Sequence, residues 1–202
     1  MKLEHKRMPA LIIVEGPDLA GKSTFITHFD DNKYIKHHYG AGPTIKTAEE
    51  YFEMMHKSLV SLWEKAALDK KDLIIDRSWI SDAAYEHVRK DGGRVASFQK
   101  WQYNGLCLSM FRKIATVFLI PPFKVIEKRY KNRGDDFVTM EQLELAYDYY
   151  NDLFLTIDSS PYDCVKYGIP TNNSAATVFT YTDTEINMNA KRFIDEIEIF
   201  TK

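Results

Sequence analysis

Leu11-Ile12-Ile13-Val14-Glu15-Gly16-Pro17-Asp18-Leu19-Ala20-Gly21-Lys22-Ser23-Thr24 is the stretch from which the rest of the chain can be read. Its apolar, mostly β-branched start predicts a strand over residues 10–14 that is buried on both faces, as parallel sheets require when helices cover each side. Gly16 to Ser23 then match G-x-x-x-x-G-K-[ST], and residues 23–29 read as the opening of a helix. Strand, glycine loop and helix in that order form the context in which the motif wraps phosphate oxygens with backbone N–H groups. Lys22 is placed to reach the β and γ oxygens of a nucleoside triphosphate, and Ser23 to offer its hydroxyl to Mg2+. Gly16, Pro17, Asp18, Leu19, Ala20, Gly21, Lys22, Ser23 and Thr24 are therefore the expected nucleotide-binding residues, with ATP and Mg2+ as the expected cofactors.

Moving outward, residues 34–38, 73–75, 115–120 and 176–181 are further short apolar or β-branched runs that read as strands. Helical patterns fill the intervals. Thr47 and Glu50 form a capping-box pattern ahead of Phe52, Met55, Leu59, Leu62, Trp63 and Ala66, with an end expected near residues 69–71. Thr139 and Gln142 repeat the signature ahead of Leu143, Ala146, Tyr150, Leu153 and Phe154, and a last helix is expected over residues 189–200. This alternation predicts an α/β fold: three layers, α/β/α, around a five-stranded parallel sheet with right-handed crossovers. No repeat or linker divides the chain, so residues 1–202 read as a single domain, and residues 159–174 as a long surface loop without an assigned function.

Of the 202 residues, 45% are hydrophobic and 28% charged, with only 9 Gly and 7 Pro, which excludes disordered and collagen-like classes. A chain this long buries roughly 70% of its unfolded surface and needs no covalent staples. The two cysteines, Cys107 and Cys164, are far apart and outside any C-x-x-C pair, which fits a reducing compartment. Lys plus Arg number 27 against 29 Asp plus Glu, a net charge of −2 that speaks against bulk nucleic-acid binding. The apolar run after the basic start halts at Glu15-Gly16, and no stretch approaches the roughly 18 apolar residues of a membrane span. The expectation is a soluble, cytoplasmic protein with no membrane contact.

A phosphate loop is shared by kinases, GTP switches and ATP-driven machines. The guanine-reading N-K-x-D of the switches is missing: the one K-x-D, Lys70-Lys71-Asp72, follows Asp69 and precedes a strand. The strand over residues 73–75 runs instead into Asp76-Arg77-Ser78, setting an acid and an arginine at the carboxyl edge of the sheet where α/β proteins bind ligands. There Asp76 is suited to a metal-bound water, and Arg77 to gripping a second phosphate with its planar fork.

Glu15-Gly16-Pro17-Asp18-Leu19-Ala20-Gly21-Lys22-Ser23-Thr24 together with Asp76-Arg77-Ser78-Trp79-Ile80-Ser81-Asp82-Ala83-Ala84-Tyr85 resembles the E-G-x-D-x-x-G-K-S-T and D-R-x-x-x-S-x-x-A-Y of the thymidylate kinase family, over roughly residues 10–150. The resemblance implies transfer of the ATP γ-phosphoryl group to a nucleoside 5′-monophosphate, a lid that closes over ATP, and homodimers, which are common in that family. Residue by residue it implies Asp18 near the acceptor's 3′-hydroxyl, Arg77 on the acceptor phosphate, Phe52 stacked on the base, Ser81 on the acceptor side, and Tyr85 beside the deoxyribose. His56 stands where the family has a thymine-reading arginine, and Asp82 where a neutral residue is usual near the base, so a base edge rich in N–H groups would suit this chain.

The lid is expected at about residues 124–140, where Lys128, Arg129, Lys131 and Arg133 resemble the R-x-x-x-R-G of nucleotide kinases. Some family members carry a catalytic arginine inside the phosphate loop. Leu19 occupies that position here, which leaves Arg129 and Arg133 to stabilise charge on the transferred group, an effect worth ~10³–10⁵ in rate. Lys22, Asp76, Arg77, Arg129 and Arg133 are thus the expected catalytic residues, with Ser23 and Asp76 at the metal. Deoxynucleoside kinases share the acid-Arg-Ser triplet but need a general base at the end of the second strand, where this chain has His37-His38-Tyr39 and no carboxylate. A monophosphate, already ionised, needs none. A sugar-hydroxyl kinase, a kinase of a modified DNA base or DNA end, and an ATP-binding regulatory module remain as alternatives.

Overall fold

The computed structural model of the chain describes residues 7–39, 48–89, 109–133, 138–159, 176–182 and 186–202. Thr47, both cysteines, residues 160–174 of the expected loop, residues 134–137 of the expected lid and the side chain of Phe52 lie outside that description. The strands are β1 (Leu11–Glu15), β2 (Tyr34–His38), β3 (Asp72–Asp76), β4 (Ile114–Leu119) and β5 (Ala176–Tyr181). The helices are α1 (Lys22–Thr27), α2 (Ala48–Asp69), α3 (Trp79–Arg89), α4 (Phe123–Arg133), α5 (Met140–Ser159) and α6 (Ile186–Thr201). β2 and β5 match their expected bounds, and β1, β3 and β4 begin or end within a residue of theirs.

All five strands pair in parallel in the order β2-β3-β1-β4-β5. The three central strands are buried at every position, and the edge strands β2 and β5 are buried only in part. This is why the middles of the central strands are apolar or β-branched while Lys36, His37 and His38 are tolerated at an edge. Alternate residues feed two cores. Leu11, Ile13, Leu73, Ile75 and Phe118 pack with α2, α3 and α5 on one face, and Ile12, Val14, Ile74, Val117 and Leu119 with α1 and α6 on the other. α4 leans on α5 through Phe123 and Tyr147, whose rings are 5.2 Å apart. The capping box of α5 forms as expected: Thr139 N donates to Gln142 Oε1 at 3.0 Å and Gln142 N to Thr139 Oγ1 at 3.2 Å. Among the described residues no helix is long and apolar enough to cross a membrane.

At the amino edge of the sheet a buried carboxylate ties the chain ends together. Asp72 accepts from Ala10 N at 2.8 Å and from both terminal nitrogens of Arg112 at 2.6 and 2.9 Å, while Arg112 also donates to Met8 O and Thr201 O at 3.0 and 2.7 Å. Removing one partner of a buried pair strands the other charge. Arg112→Ala is therefore expected to cost roughly 2–4 kcal/mol, somewhat less than for a fully buried pair because the Arg112 side chain keeps some water. A urea titration followed by far-UV circular dichroism measures it, and an unchanged midpoint would remove the pair from the list of stabilising contacts.

Candidate functional site

The loop from Gly16 to Gly21 leaves the carboxyl end of β1 and turns back over the sheet into α1. Gly16 has φ 143° and lies so close to β4 that a Cβ would stand 2.3 Å from the Leu119 carbonyl oxygen, so no other residue fits. Gly21, at φ 101°, opens α1. Lys22 is buried, and its ammonium donates to the carbonyls of Gly16 and Pro17 at 2.8 Å each, curling the loop around its own cation. Burial, and next the positive charge of Arg77, bring the Lys22 pKa down to about 8.

The carboxyl end of β3 delivers Asp76 and Arg77 beside this loop. Ser23 Oγ donates to Asp76 Oδ2 at 3.2 Å, and His38 Nδ1, from the end of β2, lies 3.1 Å from the same oxygen. Asp76 Oδ1 is buried and has no hydrogen-bond partner among the described residues. An orphaned carboxylate oxygen next to a serine hydroxyl fits an outer-sphere Mg2+ site, since that ion keeps several waters and draws few protein ligands. Among the described residues no group of three or more His, Cys, Asp or Glu side chains is disposed to hold a metal.

Arg77 turns toward the phosphate loop, where its guanidinium pairs with Asp18 Oδ1 and its Cζ sits 5.4 Å from the centre of the Tyr85 ring. Tyr85 OH donates to Asp18 Oδ2 at 2.6 Å and accepts from Asp18 N at 3.0 Å. Burial alone would raise the Asp18 pKa, but the charges of Lys22 and Arg77 outweigh it and hold the carboxyl below its usual range. Burial likewise works against the Arg77 charge and is overcome chiefly by Asp18, so Arg77 stays a cation at any working pH. From α4, Arg129 Nη1 donates to the Leu19 carbonyl at 2.7 Å and comes within 3.3 Å of a Cβ built on Gly21.

Lys22, Ser23, Asp18, Asp76, Arg77, Tyr85 and Arg129, expected from separate parts of the chain, thus converge at one end of the sheet. Four other expected residues sit elsewhere or differently. Arg133 is exposed at the end of α4. His56 is exposed on the outer side of α2, lining a surface groove with Glu53, Lys57, Val60, Ser61 and Glu64. Ser81 is buried with its hydroxyl on Glu15 Oε2 at 2.6 Å, and Asp82 is buried in the first turn of α3. Sequence reasoning missed Glu15 as a site residue, although a charged residue closing an apolar strand is a visible signal. It also gave Tyr150 only a place on an apolar helix face.

No protein-family model matches the chain, and no curated protein matches it. Solved structures do resemble it. The YorR protein from Bacillus subtilis, determined in complex with phosphorylated GDP, is 21% identical, with a TM-score of 0.60 over 94% of this chain and 96% of its own. Thymidylate kinase from Ehrlichia chaffeensis is 16% identical, with a TM-score of 0.53 over 95% of this chain and 100% of its own. Deoxyadenosine kinase from M. mycoides is 17% identical, with a TM-score of 0.51 over 94% of this chain and 99% of its own. The chain has the thymidylate-kinase-like fold of the P-loop kinases.

Should a phosphate bind at Lys22, the lowered pKa of its ammonium gives that binding a pH dependence with a definite sign. Only the ammonium pairs with phosphate, so affinity for ADP should be flat between about pH 7 and 8, where its phosphates are already ionised, and fall up to tenfold per unit above that, with proton uptake on binding there. Calorimetry at pH 7 and 9 in buffers of different ionisation enthalpy reads both. Binding at pH 9 without proton uptake would show that Lys22 enters the complex already charged.

Proposed function

We propose that the chain is an ATP- and Mg2+-dependent phosphotransferase acting on a deoxynucleoside 5′-monophosphate, with dTMP or a related pyrimidine nucleotide as the acceptor class. The observation that carries this reading is the Asp18–Arg77 pair. It places a second cation, built to grip phosphate, beside the loop that holds Lys22. A binding module that only senses ATP has no use for it.

In this reading the loop amides, Lys22 and Gly21 cradle the donor phosphates, and Ser23 and Asp76 hold Mg2+ through its water shell. When bound, the ion would supply neutralisation of charge on the donor phosphates. Arg77 releases Asp18 in favour of the acceptor phosphate, a dianion that competes well for a bidentate fork. Asp18, still held by Tyr85, is then oriented toward a sugar hydroxyl. An acceptor-phosphate oxygen attacks the γ phosphorus and the bond to the β–γ bridging oxygen breaks, giving ADP and a nucleoside diphosphate. Arg129, already against the loop at Leu19, stands in for the loop arginine that Leu19 replaces.

One observation favours a second reading. His38 Nδ1 on Asp76 leaves Nε2 as an acceptor, an arrangement that would serve as the base for a sugar 5′-hydroxyl. A panel of nucleosides and nucleoside monophosphates, assayed for ADP release with ATP and magnesium, separates the two. Stimulation by a monophosphate that survives His38→Ala supports the first, stimulation by a nucleoside that is lost in His38→Ala supports the second, and ADP release unaffected by any acceptor would sink both. Arg77→Ala should raise the acceptor KM roughly 10- to 100-fold with ATP affinity near wild type, in keeping with the loss of a charge-assisted pair. Arg129→Ala should lower kcat by ~10³ or more.

A further inference from the structure

Glu15, the last residue of β1, has no exposed surface. A carboxylate shut away from water is tolerated only where hydrogen bonds replace its hydration. Three hydroxyls do so here. Ser78 Oγ donates to Oε1 at 2.5 Å, Ser81 Oγ and Tyr150 OH donate to Oε2 at 2.6 and 3.0 Å, and these last two hydroxyls are 3.0 Å apart. Burial pushes the Glu15 pKa up, and the hydroxyls together with the Lys22 charge pull it back. No step of phosphoryl transfer uses this carboxylate. Two of its donors belong to the turn and helix start that follow Arg77, and the third to α5.

That turn is strained. Arg77 has φ 73°, a left-handed backbone that a residue with a side chain holds only when its surroundings insist. Arg77 N donates to Val14 O at 3.0 Å, and the next residue of β1, Glu15, takes the side chain of the next residue of the turn, Ser78. Ser78 Oγ also accepts from Ile80 N at 3.2 Å as α3 begins. Consecutive residues of β1 therefore grip consecutive residues of the turn on either side of the strained angle.

We propose that Glu15 is a positioning residue that, through Ser78, locks Arg77 in its left-handed backbone and so aims the guanidinium at Asp18 and at the acceptor phosphate, with Tyr150 joining α5 to the same lock. Its consequence for the acceptor rests on the function proposed above, whereas the lock itself does not. Glutamine replaces the carboxylate poorly, because it keeps one accepting oxygen where two now take three hydroxyl donors, and its NH2 needs one of those hydroxyls to turn round and accept.

The test has a structural arm and a kinetic arm. In 15N-labelled protein without nucleotide, the Arg77 Nε–H resonance, assigned by its loss in Arg77→Lys, should shift and exchange faster in Glu15→Gln, while that of Arg112 stays in place. With ATP, magnesium and dTMP, Glu15→Gln should raise the acceptor KM roughly 10- to 100-fold, the scale of a misplaced binding group, with the ADP Kd within about threefold of wild type. Ser78→Ala should do the same, and the double variant should be no worse than about threefold beyond the weaker single, because the two act as one unit. An unchanged Arg77 resonance in a folded variant, or losses that multiply in the double variant, would overturn the proposal. Should Glu15→Gln fail to fold, Ser78→Ala decides both arms. Absence of turnover in the wild type would refute the kinase reading, and the resonance arm would still decide the lock.

Discussion

Val14 lies opposite Asp76 in the parallel pairing of β1 with β3, so the segments that follow the two strands leave the sheet side by side at one level. Both strands are buried throughout, and a slip of one residue would turn their apolar side chains from one core to the other. The register is thereby held far more tightly than any surface contact could hold it. Because of it Glu15 meets Ser78, Ser23 meets Asp76 and Asp18 meets Arg77. Strand order adds the rest. β1 sits between β3 and β4, so the phosphate loop has the Asp76–Arg77 turn on one side and the Leu119 carbonyl on the other.

Within that frame the charges of Lys22, Asp18 and Arg77 act on one another. Lys22 is turned inward onto the loop carbonyls, while Asp18 pairs with Arg77 and is held by the Tyr85 hydroxyl. Each cation already rests on an oxygen, Lys22 on the loop carbonyls and Arg77 on Asp18, so neither charge is buried unpaired. From outside the sheet, Arg129 likewise rests one guanidinium nitrogen, Nη1, on the Leu19 carbonyl.

Much of the fold was legible along the chain. Apolar or β-branched runs mark the middles of the buried strands and mixed runs the edges, the Thr139–Gln142 box marks where α5 starts, and the glycine loop marks the turn between β1 and α1. Asp76 and Arg77 are legible because they close a predicted strand at the carboxyl edge of the sheet, whereas Tyr85 is implied only by the resemblance to the thymidylate kinase motif. What stays illegible is a side chain whose partner comes from a distant segment. Tyr150 fits the apolar periodicity of α5, which hides the role of its hydroxyl on Glu15, and the family motif puts Ser81 on the acceptor side although its hydroxyl faces Glu15. Arg129 and Arg133 were equal candidates on paper, one helical turn apart, yet one reaches the loop and the other is exposed.

Element types, the phosphate loop and the identity of the two cations follow from residue kind and spacing, because backbone preference, hydrophobic period and turn chemistry act within a few residues of each other. Which side chains share a proton or a charge followed instead from strand register and helix packing. Asp18 and Tyr85 are 67 positions apart, Leu19 and Arg129 are 110 apart, and Glu15 and Tyr150 are 135 apart. No local rule links such residues; they meet only because burying two apolar faces of one sheet brings their backbones together.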